Sequence, residues 1–410
     1  MLKTLQQQVS SPKNVFLLFD ETQNNLFLNY AIKLIQSGIS VGAISTSIVK
    51  SLRLNVQKTA IDGVYLTTYD VPSPSILCFS SGTKNNQKGI VRAFESWQNS
   101  FSLIKDEITT FPDAKAIVFG SLPYSLTLFG AIESLQRGQQ PLVFPMHEFR
   151  YFKQLQPNQN FILWITPLHC TFFVKAFAMK RMQSIPMIRY VFVGGAEFTN
   201  RQRGALQNVF PNAKIYSFYG ASETSFITIK HPYDNSKSVG AICKGVKVVV
   251  LDKHNQKCSN NQVGTIWVNS KDSFMSYLQK SLKINKLDNF ISINDRGFLD
   301  AKNRLFFAGR TERHISISGH ILDLNALEIW YKEALSTETL ALLSQSNDEK
   351  ENNLVLLTNE NLTPHVWQSI KKEAYKGLGA QGVPKKWIHC TTWPLLANGK
   401  TDLKTLEKWL

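Results

Sequence analysis

The 410-residue chain has only five cysteines, and no CxxC pair occurs among them. Cys78, Cys170, Cys243, Cys258 and Cys390 are odd in number and far apart. This usage excludes a disulfide framework and a clustered zinc site, and reads as reduced thiols in a cytoplasmic protein. The opening MLKTLQQQVSSPK lacks the apolar core of a signal peptide. No unbroken apolar run spans a bilayer. The greasiest stretch, FILWITPLHCTFFVKAFAM (161–179), is interrupted by Pro167, His169 and Lys175 and reads as a buried turn plus helix. Acidic residues are outnumbered: 30 Asp and Glu against 46 Lys and Arg leave a formal net charge of +16. That excess favours an acidic partner, whether nucleic acid, anionic membrane, phosphorylated cofactor or acidic protein. The basic residues are scattered, however, with no run of five or six and no nucleic-acid module, which disfavours nucleic acid. The pattern GxxxxGK[ST] is also missing, which disfavours a Walker-type nucleotide fold.

What is present is apolar periodicity. A hydrophobic content of 43% suffices for a sizeable core and two or three domains. Strand-like runs at 14–19, 39–44, 117–121, 141–144, 189–196 and 214–220 alternate with helical patterns at 26–36, 128–138 and 199–209. The alternation predicts an α/β layer architecture with mainly parallel pairing. From about residue 236 the texture changes to short β-branched runs between Gly, Asn and Asp turns, predicting a small antiparallel sheet or barrel. Beyond Gly319 come a helix at 325–335, a strand near NLVLLT and a helix at 363–376, enough for a separate α+β domain.

Several segments are candidates for chemistry. In ILCFSSGTKNNQKGI (76–90) a strand ends in Ser80, Ser81, Gly82 and Thr83, with Lys84 and Lys88 beyond. Hydroxyls and successive backbone N–H groups there can form an anion-binding concavity, and the lysines add counter-charge. VFVGGAEF sets Gly194, Gly195 and Ala196 after a buried strand, where small residues let a flat ligand lie against backbone. YSFYGASET brings Tyr219, Gly220, Ser222 and Glu223 to another strand end: a ring to stack on a base and a carboxylate to hold Mg²⁺ against phosphate. Asp295 in INDRGFLD suits two ribose hydroxyls; AGRTERHISISGH supplies Arg310 and LLANGKTD supplies Lys400. Singly, each has an ordinary explanation: a solvated loop, a close-packed turn, a core tyrosine beside a helix-capping Ser222–Glu223 pair, an Asn-Asp turn, a solvated lysine. Their order and spacing together favour one site.

In that order the segments resemble the adenylate-forming superfamily: acyl-CoA synthetases, the adenylation domains of peptide synthetases and firefly luciferase. The family's SSGTTGxPKG matches Ser80 to Gly89 without a length change, its GGA matches Gly194 to Ala196, and its YGxTE matches Tyr219 to Glu223. Its ribose-binding aspartate matches Asp295, its GRxxxxIxxxGxxIxxxEIE matches Gly309 to Ile329, and its near-terminal lysine matches Lys400 in an NGK context. The resemblance covers residues 75 to 405 or so. It implies a large N-terminal domain of mixed sheets with helices (1–311), containing an abbreviated first subdomain (1–75) and a β-barrel-like subdomain (about 236–311). A small mobile α+β domain (312–410) follows.

The resemblance also implies two half-reactions. A carboxylate attacks the α-phosphate of ATP to give an acyl-adenylate and pyrophosphate, and a thiol of CoA or carrier-protein phosphopantetheine then displaces AMP. Ser80 to Thr83 with Lys88 would hold phosphates, Glu223 would hold Mg²⁺, Gly195, Ala196 and Tyr219 would flank adenine, and Gly194, Gly220 and Ser222 would also bind ATP or AMP. Asp295 and Arg310 would take the ribose, and Lys400 would bridge carboxylate and α-phosphate. A hinge at Glu312 would then withdraw Lys400 and present Gly319 to pantetheine. Tyr124 and Phe218 fall where the family lines its acyl pocket. Their aromatic character favours an aryl acid, with a medium or long fatty acid as runner-up; no residue stands out as partner for an α-amino group. An acidic acyl carrier protein is a plausible acceptor for so basic a chain.

This sequence departs from the family pattern at named positions. Asn85 and Gln87 replace the loop's second glycine and its proline, Ser222 replaces threonine, and Glu312 replaces the hinge aspartate. Some 75 residues precede the phosphate loop, fewer than is general, so one wall of the substrate pocket is expected to be open or completed by a partner. A degenerate, non-catalytic adenylate- or acyl-binding module is the alternative. Retention of Asp295 and Lys400 favours an enzyme.

Overall fold

VFLLF, SVGAI and SILCF are near-continuous apolar runs, the composition of strands covered on both faces. They form the parallel centre of a seven-stranded sheet in the computed structural model: Val15–Asp20, Ser40–Ile44 and Ser75–Phe79. The structure describes all residues except 10–14, 70–73, 81–86, 147–148, 311–312, 318–319, 347–351 and 397–399. Ser81, Gly82, Thr83, Glu312 and Gly319 therefore lie outside the described residues. The chain forms two compact units, Met1–Val248 with Val268–Ile291, and Val249–Trp267 with Ser292–Leu396 and Lys400–Leu410.

The first unit holds two seven-stranded sheets. Outside its parallel centre the first sheet is antiparallel: Gly89–Ala93 and Ser276–Tyr277 extend one edge, Val64–Thr68 and Gln57–Lys58 the other. Mainly parallel pairing thus fails here, because the connections Phe79 to Gly89 and Lys58 to Val64 are too short for a crossover helix. The second sheet meets the expectation better. Leu142–Phe144, Lys115–Phe119, Phe161–Ile165, Ile188–Val193 and Lys214–Ala221 run parallel, and Ser225–Lys230 and Ala241–Ile242 close one side antiparallel. FILWI is a fully buried central strand, not the turn expected at the start of 161–179. The chain turns only at Thr166, which caps the helix Pro167–Ala178, with Pro167 in its first turn.

Aromatic packing ties the layers of this unit together. Trp164 stacks on Phe192 with ring centroids 4.6 Å apart and meets Phe129 edge-on at 5.3 Å. The helix Ser125–Gln136 can lie this close because it carries glycine at the contact: a Cβ on Gly130 would sit 2.6 Å from Trp164 Cδ1.

In the second unit Gly264 and Thr265 pair antiparallel with Asp295–Leu299, which pairs with Leu305–Arg310. The antiparallel texture is as expected; among the described residues the pairings branch at Gly264–Asn269, which takes a further strand off the main order, and a closed ring of strands is not among them. His314–Ile317 and His320–Asp323 form a hairpin, and Leu340–Ser346, Asn352–Thr358 and Lys386–His389 a three-stranded sheet. The helices Leu324–Leu335 and Pro364–Leu378 cover that sheet through Leu327, Tyr331 and Ile370. Asp323 caps the first of them, accepting from Asn325 N–H at 2.8 Å. Glu328 takes Arg313 Nη2 at 2.6 Å and Leu342 N–H at 2.8 Å, so the acid of the GR…EIE pattern knits helix to sheet. Among the described residues no helix is long and apolar enough to cross a membrane.

Candidate active site

The strand Ser75–Phe79 runs directly into the serine-rich segment, and the two described ends of that segment are joined. Ser80 N–H donates to the Lys88 carbonyl at 3.0 Å, and Lys88 N–H donates to Ser80 Oγ at 3.2 Å. Lys88 Nζ lies 4.9 Å from the centroid of the Tyr277 ring. Gln87, at the position where the family has proline, donates from Nε2 to Tyr124 Oη at 3.1 Å. Tyr124 itself is buried at the start of the helix Ser125–Gln136, bridged to Phe79. Burial, the nearby Glu21 carboxylate and their effect on charge push its phenol upward, so it stays protonated near neutrality.

Glu223 sits on the tight turn between Lys214–Ala221 and Ser225–Lys230. The expected helix-capping alternative for Ser222 and Glu223 does not occur; the segment is a hairpin. Gly220 is required there, because a Cβ would strike the Ser225 carbonyl, and Ser225 takes a left-handed φ of 60°. A turn residue is ordinarily solvated, yet Glu223 is only 8% exposed. Three contacts draw it inward. Tyr277 donates its hydroxyl to Glu223 Oε1 at 2.9 Å, Phe274 N–H donates to the Glu223 carbonyl at 2.7 Å, and Arg92 Nη1 donates to the Ser222 carbonyl at 2.7 Å. Arg92 also reaches the Asp272 carbonyl and Ser96 Oγ, and its own side chain is 1% exposed. Among the described residues no group of three His, Cys, Asp or Glu could hold a metal by itself. A lone buried carboxylate fits Mg²⁺ bound mainly through substrate phosphates and water, the usual manner for this ion.

Gly194, Gly195 and Ala196 follow the strand Ile188–Val193, the latter two exposed and Gly195 at a φ of 89°. The face of Gly194 is taken by the Phe218 ring, which any Cβ would overlap. The structure thus brings Phe218 against the GGA turn, with Tyr219 and Gly220 next along the same strand. Ser80, Lys88, Tyr124 and Gln87 form a second connected group, and Glu223 joins it through Tyr277.

The second unit carries Asp295, Arg310 and Lys400. Asp295 and Arg310 are cross-strand partners: Arg310 Nε donates to Asp295 Oδ1 at 3.0 Å, with Asp295 2% exposed and the Arg310 side chain about half exposed. Lys400 begins a segment paired with 394–396, through Leu396 N–H to the Lys400 carbonyl at 2.8 Å and a Leu395–Thr401 bridge. Trp393 Nε1 fastens the same segment, donating to Thr401 Oγ1 at 3.1 Å.

Arg92, Tyr277 and Gln279 were not among the residues singled out from the sequence. An arginine inside the apolar run GIVRAF is the one available signal, since a charge there needs partners from elsewhere in the chain.

The sequence model of the AMP-binding enzyme family matches residues 43–278, and the chain belongs to that family, within the adenylate-forming superfamily. An uncharacterized acyl-CoA ligase, YhfT, of Bacillus subtilis is 25% identical over 354 residues, covering 84% of this chain and 70% of that protein. A D-alanine–D-alanyl carrier protein ligase of Listeria monocytogenes is 22% identical over 354 residues, covering 81% and 69%. Among solved structures, the amide bond synthetase McbA of Marinactinospora thermotolerans superposes with a TM-score of 0.67 at 17% identity, over 98% of this chain and 81% of that one. The anthranilate CoA ligase AuaEII gives 0.69 at 15% identity, over 96% and 78%. These structural likenesses speak for the fold alone.

Proposed function

We propose that the protein activates an aryl or fatty carboxylic acid with ATP and passes the acyl group to the thiol of CoA or of a carrier-protein phosphopantetheine. The observation that carries this reading is the connected group Ser80–Lys88–Tyr277–Glu223 in a chain of the AMP-binding family. It links Ser80, at a strand end, and the Lys88 ammonium to a single buried carboxylate through the ring and hydroxyl of Tyr277. Such a set is suited to a polyphosphate and a cation, not to general base catalysis.

In the first half-reaction a carboxylate oxygen of the acid forms a bond to the α-phosphorus, and the bond from that phosphorus to the bridging oxygen breaks, releasing pyrophosphate. The carboxylate is already a competent nucleophile, so the chain's task is to position it and neutralise charge. Ser80 and Lys88, with Ser81 to Thr83, hold phosphates; Glu223 would hold Mg²⁺, which neutralises phosphate oxygens when bound. Gly195, Ala196 and Tyr219 flank adenine, Asp295 and Arg310 take the ribose, and Lys400 meets the α-phosphate. Phe218 and Tyr124 line the acyl pocket; their rings support an apolar or aromatic acid. In the second half-reaction the thiol gives its proton to solvent, sulfur bonds to the acyl carbon, the bond from that carbon to the phosphate oxygen breaks and AMP leaves, with Glu312 as hinge and Gly319 on the pantetheine side. Relatives named as CoA ligases and as carrier-protein ligases support either acceptor.

ATP–pyrophosphate exchange across a panel of aryl and fatty acids tests the proposal. At least one acid should support exchange, and Lys400→Ala should abolish it while leaving ATP affinity in place. Folded protein that exchanges with no acid would overturn it.

A further inference from the structure

We propose that Gln279 is a positioning residue for Lys88: its side-chain amide clamps the backbone on both sides of that lysine and aims the ammonium at the Tyr277–Glu223 pair. The proposal rests on the reading of this site as one for ATP. Gln279 Nε2 donates to the Gln87 carbonyl at 2.7 Å, and Gln279 Oε1 accepts from Gly89 N–H at 3.0 Å. One primary amide therefore supplies a donor and an acceptor to the two peptide units that flank Lys88, as a neighbouring strand would.

The approach that permits this is built into both partners. Leu278 N–H donates to the Gly89 carbonyl at 2.8 Å, and Ser276 and Tyr277 pair with Val91 and Ile90. A Cβ on Gly89 would lie 2.6 Å from Leu278 Cβ, so the contact exists only because residue 89 is glycine. With its backbone held at Gln87 and Gly89, Lys88 keeps Nζ 4.9 Å from the Tyr277 ring centroid, and the Tyr277 hydroxyl occupies Glu223 Oε1.

The clamp also answers a question raised by the sequence. Proline would fix φ at position 87 by its ring. Gln87 has no such constraint, and here the restraint comes from outside the loop, from a side chain 192 positions further along.

Equilibrium binding of MgATP and of AMP to the full chain tests this, since AMP lacks the β- and γ-phosphates that Lys88 would serve. Gln279→Ala should weaken MgATP about tenfold, the scale of one or two lost hydrogen bonds, and leave AMP within about twofold. Retained AMP binding doubles as the check on folding. Gln279→Asn, whose shorter amide cannot reach both peptide units, should behave alike. In a double-mutant cycle with Lys88→Met the two losses should not add, because Gln279 acts through Lys88. Equal weakening of both nucleotides, no weakening of either, or full additivity with Lys88→Met would overturn the clamp. Wild-type protein that binds neither nucleotide would instead sink the ATP-site reading, and the clamp with it.

Discussion

Tyr277 gives its hydroxyl hydrogen to Glu223 Oε1 across 2.9 Å, and both side chains are buried. Burial and the adjacent carboxylate drive the tyrosine's proton affinity well above its ordinary range, so the tyrosine keeps its hydrogen and remains the donor at neutral pH. Tyr277→Phe removes the donor and keeps the ring under Lys88. The expected cost is about 1–2 kcal/mol of stability from the orphaned acceptor, read by urea unfolding. Glu223 would also lose its fixed orientation, so the half-saturating Mg²⁺ concentration for pyrophosphate exchange should rise severalfold. An unchanged magnesium dependence would separate Glu223 from the metal.

Arg92 offers a sharper test of what holds the hairpin. Its guanidinium feeds the Ser222 and Asp272 carbonyls from inside the protein, and Asn99 Nδ2 adds a bond to Asp272 Oδ1 at 2.9 Å. Arg92→Met keeps the volume and removes the donors, leaving two carbonyls unpaired. A loss of about 2–4 kcal/mol is expected at roughly 1–2 kcal/mol for each. Arg92→Lys should recover part of it, since one ammonium reaches fewer acceptors than the planar fork. If Arg92→Met unfolds at the wild-type urea midpoint, the guanidinium is not what secures Ser222.

These two residues also mark where sequence reading stops. The motifs that carry the family resemblance were legible because they are short, fixed patterns of small, hydroxylic or ring-bearing residues, as in Ser80 to Lys88 and Gly194 to Ala196. The supports of those motifs were not. Arg92 meets Ser222 130 positions away and Gln279 meets Gln87 192 away, and nothing local in either segment names its partner. FILWI departs from the expected turn for a different reason: five apolar residues have no period, and only the sheet decides that they are a strand. The Ser222–Glu223 pair likewise fits a helix cap in isolation, and it is the close approach at Gly220 that selects a hairpin.

Two buried thiols give the pH dependence a direction. Desolvation raises Cys78 to about 11 and Cys243 to about 12, from an ordinary 9.0. Below pH 9.0 both folded and unfolded chains hold these protons, and the stability contributed is complete. Above it the unfolded chain releases them first, so stability falls as pH rises towards the folded values. The limit is about 1.4 kcal/mol per pH unit for each thiol. Urea unfolding between about pH 8 and pH 10.5 should show this decline. Cys78→Ala should flatten it, even if the substitution lowers stability at neutral pH. A slope unchanged by Cys78→Ala would remove Cys78 as a source of the decline.

The pair Asp295–Arg310 separates a ribose site from an ordinary ion pair. Asp295 is almost wholly buried while Arg310 is about half exposed, so the carboxylate is oriented by a partner that itself remains open to solvent. If that carboxylate accepts from ribose hydroxyls, Asp295→Asn should weaken ATP about tenfold or more, the loss of charge-assisted bonds. The discriminating measurement is 2′-deoxy-ATP: wild type should bind it more weakly than ATP, and Asp295→Asn should bind the two alike. An ion pair with no nucleotide role predicts a different pattern, in which stability drops and the preference between the two nucleotides stays as it was. Because asparagine preserves shape and one acceptor oxygen, a collapse of that preference in folded protein can be traced to the lost charge at Asp295 and not to a disturbed strand.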